Sequence, residues 1–104
     1  MPSAFESVYH GALSYSRSPS PFERLVYLAI EKNYVRLGFD FGSYLPDPEH
    51  LLVGEGKRLR HVKVYSIAEA SQPTLKQLVR VAWENGSDHI AQMKSQLQIQ
   101  RSSK

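Results

Sequence analysis

Leu25-Val26-Tyr27-Leu28-Ala29-Ile30, then Lys32-Asn33, then Tyr34-Val35-Arg36-Leu37-Gly38-Phe39 is the stretch that decides the fold. Val26, Leu28 and Ile30 alternate with Leu25, Tyr27 and Ala29, which predicts a strand with one firmly apolar face and one mixed face. After the break, Val35, Leu37 and Phe39 alternate with Tyr34, Arg36 and Gly38. Two alternating runs joined by about two turn-type residues predict a β-hairpin, and Asn33 tolerates the left-handed conformation that tight turns use.

Outward from the hairpin, Leu59 to Tyr65 alternates again, with Val62 and Val64 opposite His61, Lys63 and Tyr65, and reads as a third strand. A weaker fourth strand is expected at residues 11–16, where Leu13 and Tyr15 alternate with Ala12 and Ser14. Serine and proline enrich residues 14–21, which reads as a loop. Asp47-Pro48 is a helix start, Leu51, Leu52 and Val53 follow, and Gly54 is a natural stop, so a helix of one to two turns is expected there. After Ile67 helix signals dominate. Ser71 or Gln72 caps, Pro73 sits near the first turn, and Leu75, Leu78, Val79 and Ala82 recur at helical spacing. Asn85-Gly86 reads as its stop and Ser87-Asp88 as a second N-cap. Ile90, Met93 and Leu97 line one side of a further helix, and residues 98–104 read as a frayed tail. No internal repeat is visible.

With 104 residues, one small domain is expected: residues 1–86 as the folded unit and 87–104 as a helical extension and tail. A formal charge of +3 permits an anionic partner without demanding one. Cysteine is absent, which removes disulfides and thiolate zinc sites. No apolar run reaches the roughly 18 residues that span a bilayer. Residues 1–9 lack the basic start and apolar block of a secretory leader. A cytoplasmic location follows as the simplest expectation.

Gly54-Glu55-Gly56-Lys57-Arg58 has the look of a phosphate loop and fails its requirements. Leu51 stands where the first glycine belongs, Arg58 stands where Ser or Thr belongs, and a strand follows instead of a helix. The two glycines read better as a hinge that permits positive φ before an edge strand. The cations that follow form a dense cluster: Lys57, Arg58, Arg60, His61 and Lys63. With neighbouring strands, Tyr27, Tyr34, Arg36, His61, Lys63 and Tyr65 would share one sheet face. Such a face can hold an anion through Lys and Arg and stack a planar group on Tyr. It is equally the pattern of a solvated face whose long side chains shield the backbone. Interleaved aromatics and cations also suit single-stranded nucleic acid, but the charge is small and the glycine–aromatic signature of an RNA-recognition motif is missing. Hydrolytic chemistry lacks a cysteine nucleophile and a Gly-x-Ser-x-Gly elbow. His10, His50, His61 and His89 are scattered. His61, beside Lys63 and near Arg60, is the one candidate acid or base, its pKa lowered by like charges.

Taken in order, these segments resemble the YdhG-like family, a bacterial group of domains of unknown function. The pieces that carry the resemblance are residues 25–30, Tyr34-Val35-Arg36-Leu37-Gly38-Phe39, Leu45-Pro46-Asp47-Pro48, the run Leu51-Leu52-Val53-Gly54-Glu55-Gly56-Lys57-Arg58-Leu59-Arg60-His61-Val62-Lys63, and residues 74–84. Together they cover roughly residues 6–85. The resemblance implies an α+β domain of frataxin-like shape, with an antiparallel sheet and helices on one face. It also implies intracellular iron handling, since some members are described as iron chaperones. Asp40, Asp47, Glu49 and His50 fall within eleven residues and supply ligand types that iron(II) accepts. Three of them also have a plainer reading, Asp47 as a helix cap, Glu49 as a complement to the helix dipole and His50 as a surface residue. The acidic ridge of a frataxin-like iron surface is not evident in this basic chain.

Members of that family begin with an additional helix before the segment resembling residues 6–15, and here five residues precede Glu6. The chain therefore reads as a short variant or as one whose start lies upstream. Without that helix, Val26, Leu28 and Ile30 or their neighbours would be partly uncovered. The segment carrying Ile90, Met93 and Leu97 is the expected cover, within the chain or across a homodimer. The expectation as a whole is an antiparallel sheet of about four strands with helices on one face. It is expected to serve as a non-enzymatic binding or carrier domain for a small anion, a metal or a partner protein. A nucleic-acid-associated module and an enzyme using His61 are the alternatives.

Overall fold

The computed structural model describes residues 4–9, 11–20 and 23–102. Five strands form one antiparallel meander: β1 (Phe5–Tyr9), β2 (Ala12–Ser16), β3 (Arg24–Ile30), β4 (Val35–Phe39) and β5 (Arg60–Val64). Three helices follow: α1 (Ile67–Ala70), α2 (Pro73–Glu84) and α3 (Gly86–Ser102). The fold class is α+β, with five strands where about four were expected.

Register makes the two faces legible. Val8, Leu13, Leu28, Leu37 and Val62 stand in one row across all five strands, and Ile30, Val35 and Val64 form the next row on the same face. The helices pack on this face. Leu75, Leu78 and Ala82 of α2 recur at helical spacing and are buried against Val26, Leu37, Phe39 and Val62. Between Tyr15 and Ser16 the register slips: their partners are Val26 and Arg24, so Leu25 is the extra residue of a bulge. That bulge explains why two adjacent residues, Leu25 and Val26, are both in the core.

Cover on the apolar face is graded along β3. Val26 is 3% exposed, Leu28 is half-buried, and Ile30 is 82% exposed. The C-terminal half of α2 and the start of α3 close the Val26 end, where Ile90 is buried and Met93 packs beside it. Leu97, expected on the same stripe, is exposed. The C-terminal segment thus covers the face at one end and leaves the Ile30 end open.

Several local expectations need correction. No helix forms after Asp47-Pro48. The Asp47 carboxylate accepts from the backbone N–H of Leu51 and of Leu52, both at 2.9 Å, and His50 turns to φ 54°, which ends the turn at once. The chain then extends, and Val53 pairs with His61 through two backbone hydrogen bonds of 2.8 and 2.9 Å. The hairpin of β3 and β4 forms as expected, with Lys32-Asn33 at its tip, yet Asn33 is not left-handed. Gly54 does take positive φ, at 132°, whereas Gly56 does not. Residues 14–16, read also as loop, belong to β2, the bend lies at residues 17–19, and Pro21 falls outside the described residues. The tail read as frayed is helical to Ser102, and residues 103 and 104 lie outside the described residues.

Candidate binding site

The sheet face away from the helices gathers most of the expected side chains. Ser14, Tyr27, Gly38 and His61 stand in one row, and Ala29, Arg36 and Lys63 in the next. Tyr27 lies across Gly38, where any Cβ would run into its ring. The Lys63 ammonium sits 5.4 Å from the centre of the Tyr34 ring, and the Tyr34 and Tyr65 rings are 5.5 Å apart. Much of the cationic capacity is already engaged. Arg36 donates to the Glu31 carboxylate at 2.7 Å, while its Nε is buried without a partner. Arg24 bonds Asp40 at 2.8 Å and lies over the Tyr27 ring. His61 is half-buried, and burial lowers its pKa, with Arg36 and Lys63 adding to the shift. The lowering and the like-charge contribution expected from the sequence are both present, and burial, which the sequence did not reveal, is the larger cause.

Lys57, Arg58 and Arg60 lie elsewhere. They precede or open β5, at the far end of that strand from Lys63. Carbonyls of Lys57 and Arg58 accept from Ser43, which ties this loop to the 3-10 turn at Gly42–Tyr44. Arg60 donates to the carbonyls of Gly56 and Leu59. The basic run in the sequence is thus split between two places.

The four residues named for iron do not converge either. Asp40 is bonded to Arg24, and burial pushes its carboxyl above the usual range although Arg24 pulls the other way. Asp47 is occupied by backbone N–H groups. Glu49 and His50 are exposed. Among the described residues, no group of three or more His, Cys, Asp or Glu stands close enough to hold a metal ion.

A well-developed concavity lies on the apolar face, at the end that α2 and α3 leave open. It is a groove of about 660 Å3. Leu28, Leu37, Val35 and Val64 make its floor, and Leu75 and Val79 of α2 make a wall. Its mouth is set by local chemistry. Ser66 caps α1 by accepting from the Glu69 N–H at 3.2 Å, and the Glu69 carboxylate accepts from the Tyr65 N–H at 2.6 Å. This clamp holds Ile67 at the lip, 86% exposed, opposite Ile30. Tyr34 and Tyr65 sit at the same rim and so join the groove to Lys63 on the other face. Volume and lining fall within the range of small-molecule sites, roughly 300–1,000 Å3 and mostly apolar.

Sequence reading found the tyrosines and Lys63 but not the groove. Ile67 and Lys76 gave no signal, because their role depends on where α1 and α2 land on the sheet. The uncovered end of β3 was anticipated as an exposed patch. Among the described residues no helix is long and apolar enough to cross a membrane. No family model, curated protein or solved structure matches the chain.

Proposed function

We propose that this chain is a non-catalytic binding domain whose ligand seats its apolar part in the groove between the Ile30 end of the sheet and α1–α2. The observation that carries the reading is the 660 Å3 apolar concavity, with Ile30 and Ile67 held in water at its mouth. Apolar side chains displayed in this way gain free energy when covered. A carrier role is also what the YdhG-like resemblance implies, and the absence of cysteine fits a cytoplasmic setting. Iron handling rests on that resemblance alone, since Asp40 is engaged by Arg24, Asp47 by backbone N–H groups, and Glu49 and His50 do not converge with them. Catalysis by His61 is the weaker reading, because the side chains beside it are cations and among the described residues no cluster of three or more His, Asp or Glu includes it.

The test is a titration with a small apolar probe, 1-anilinonaphthalene-8-sulfonate, read by amide chemical shifts. Shifts should cluster at residues 28–37, 64–67 and 75–79. Ile30→Glu and Ile67→Glu should each abolish them without unfolding the domain. Shifts that map to other surfaces would refute the assignment.

A second reading has one observation of its own. Lys63 makes no ion pair among the described residues and stands over Tyr34, beside Tyr65. A planar anion could stack there, and Lys63→Met would remove its binding. Nucleic acid is the weaker version of this reading, because Arg24 and Arg36 are already paired with carboxylates.

A further inference from the structure

We propose that the ligand of the groove is a single-chain amphiphile with an anionic head, and that Lys76 meets the head. This rests on the groove being the binding site. The lining carries two charged side chains, Glu31 and Lys76. Glu31 is neutralised by the Arg36 guanidinium 2.7 Å away. Lys76 lies in the first turn of α2, is exposed, and makes no ion pair among the described residues. Among the residues that line the groove, Lys76 is therefore the one uncompensated charge above an apolar floor, while the Glu69 carboxylate behind the lip is held by the Tyr65 N–H. A cationic head would be repelled there, and a neutral head would leave the ammonium with water alone. A carboxylate or phosphate head gains a charge-assisted hydrogen bond from it. The floor of branched aliphatic side chains offers no hydrogen-bonding side chain, so the body must be hydrocarbon.

A second copy of the chain is the competing occupant. The groove lining of a second copy offers Lys76 no unpaired carboxylate, since its Glu31 is already held by Arg36, so a two-fold contact leaves the ammonium without a partner from that lining. The charge thus favours an anionic small molecule over self-association.

The experiment titrates octanoate, decanoate and 1-decanol, below their micellar concentrations, into the full chain and into Lys76→Met. Amide shifts of Ile30, Ile67 and Lys76 are the readout, and a dilution series of protein alone accompanies them. Decanoate should bind about fifteenfold more tightly than octanoate, reflecting the two methylenes added. It should exceed decanol by about fivefold, the upper range for an exposed ion pair, and that excess should vanish in Lys76→Met and shrink in high salt. Decyl phosphate should show the same Lys76 dependence. Equal binding of decanoate and decanol, or an advantage that survives Lys76→Met, overturns the head-group inference and leaves the groove reading standing. Failure of both decanoate and decanol to shift the groove amides overturns both. Shifts of those amides on simple dilution assign the groove to a second copy and also overturn the proposal.

Discussion

Three alternate residues of one strand should respond very differently to the same truncation. Val26, Leu28 and Ile30 all face the helices, but their cover falls from 3% exposed at Val26 to 82% exposed at Ile30. Val26→Ala removes two carbons that are fully buried. Transfer alone costs about 0.8 kcal/mol for each, and the cavity left among Phe39, Leu25 and α2 raises the total to about 2–3 kcal/mol. Ile30→Ala removes three carbons, but less than a fifth of that surface is withdrawn from water. The transfer cost is then about 0.4 kcal/mol, and lower strand propensity brings it to at most about 1 kcal/mol. Leu28→Ala should fall between them. Urea unfolding followed by circular dichroism measures the series, and thermal midpoints should drop by roughly 4–8 °C for each kcal/mol. The protein concentration should not matter. If Ile30→Ala costs as much as Val26→Ala, something covers Ile30 in solution, and the groove is not open in the free protein. A cost that grows with protein concentration would identify that cover as a second copy.

Two further outcomes follow from named groups. His61 and His89 are both held below the ordinary histidine value by burial, with Asp88 partly offsetting the shift at His89. The unfolded chain takes up protons at about pH 6.5 while the fold resists until lower pH. Stability should therefore fall as pH drops through 6.5 and level off below the folded pKa values. Ring-proton titrations by NMR, with urea midpoints between pH 7.5 and 5, check both parts. Asp47→Ala should remove the acceptor of two backbone N–H groups, lower stability by about 1.5–3 kcal/mol, and loosen the Val53–His61 bridge, seen as faster amide exchange at both residues.

The hairpin was legible because its period of two is a local property. Each apolar residue of β4 announces its own face, and Lys32-Asn33 falls where the run breaks. β1 was not read, since Phe5-Glu6-Ser7-Val8 carries little apolar signal of its own. It is a strand because β2 offers a backbone edge to pair with, and its Val8 remains 73% exposed. The region after Asp47 failed for a related reason. Asp-Pro is compatible with a helix start and with a capped turn, and only the neighbouring β5 decides in favour of the turn, by pairing with Val53. In both places a tertiary partner settled what local propensity left open.

The same distinction explains why the site was only half visible. Alternation places Tyr27, Arg36, His61 and Lys63 on one face, so their convergence could be read directly. What alternation cannot read is whether a charge is spent. Arg36 is matched by Glu31, five residues away across the hairpin tip, and Arg60 is turned onto backbone carbonyls. A run of cations in sequence is thereby reduced to a few available ones in space. The groove is the opposite case. Its aliphatic lining gives no signal of a site in sequence, and it exists because the first turns of α2 wall the Ile30 end without covering it while the Ser66–Glu69 clamp fixes α1 beside it. Binding capacity in this chain thus arises where the helical layer is shorter than the sheet it covers. An apolar side chain added to α1 or to the first turn of α2 to lengthen that layer should both stabilise the domain and close the groove.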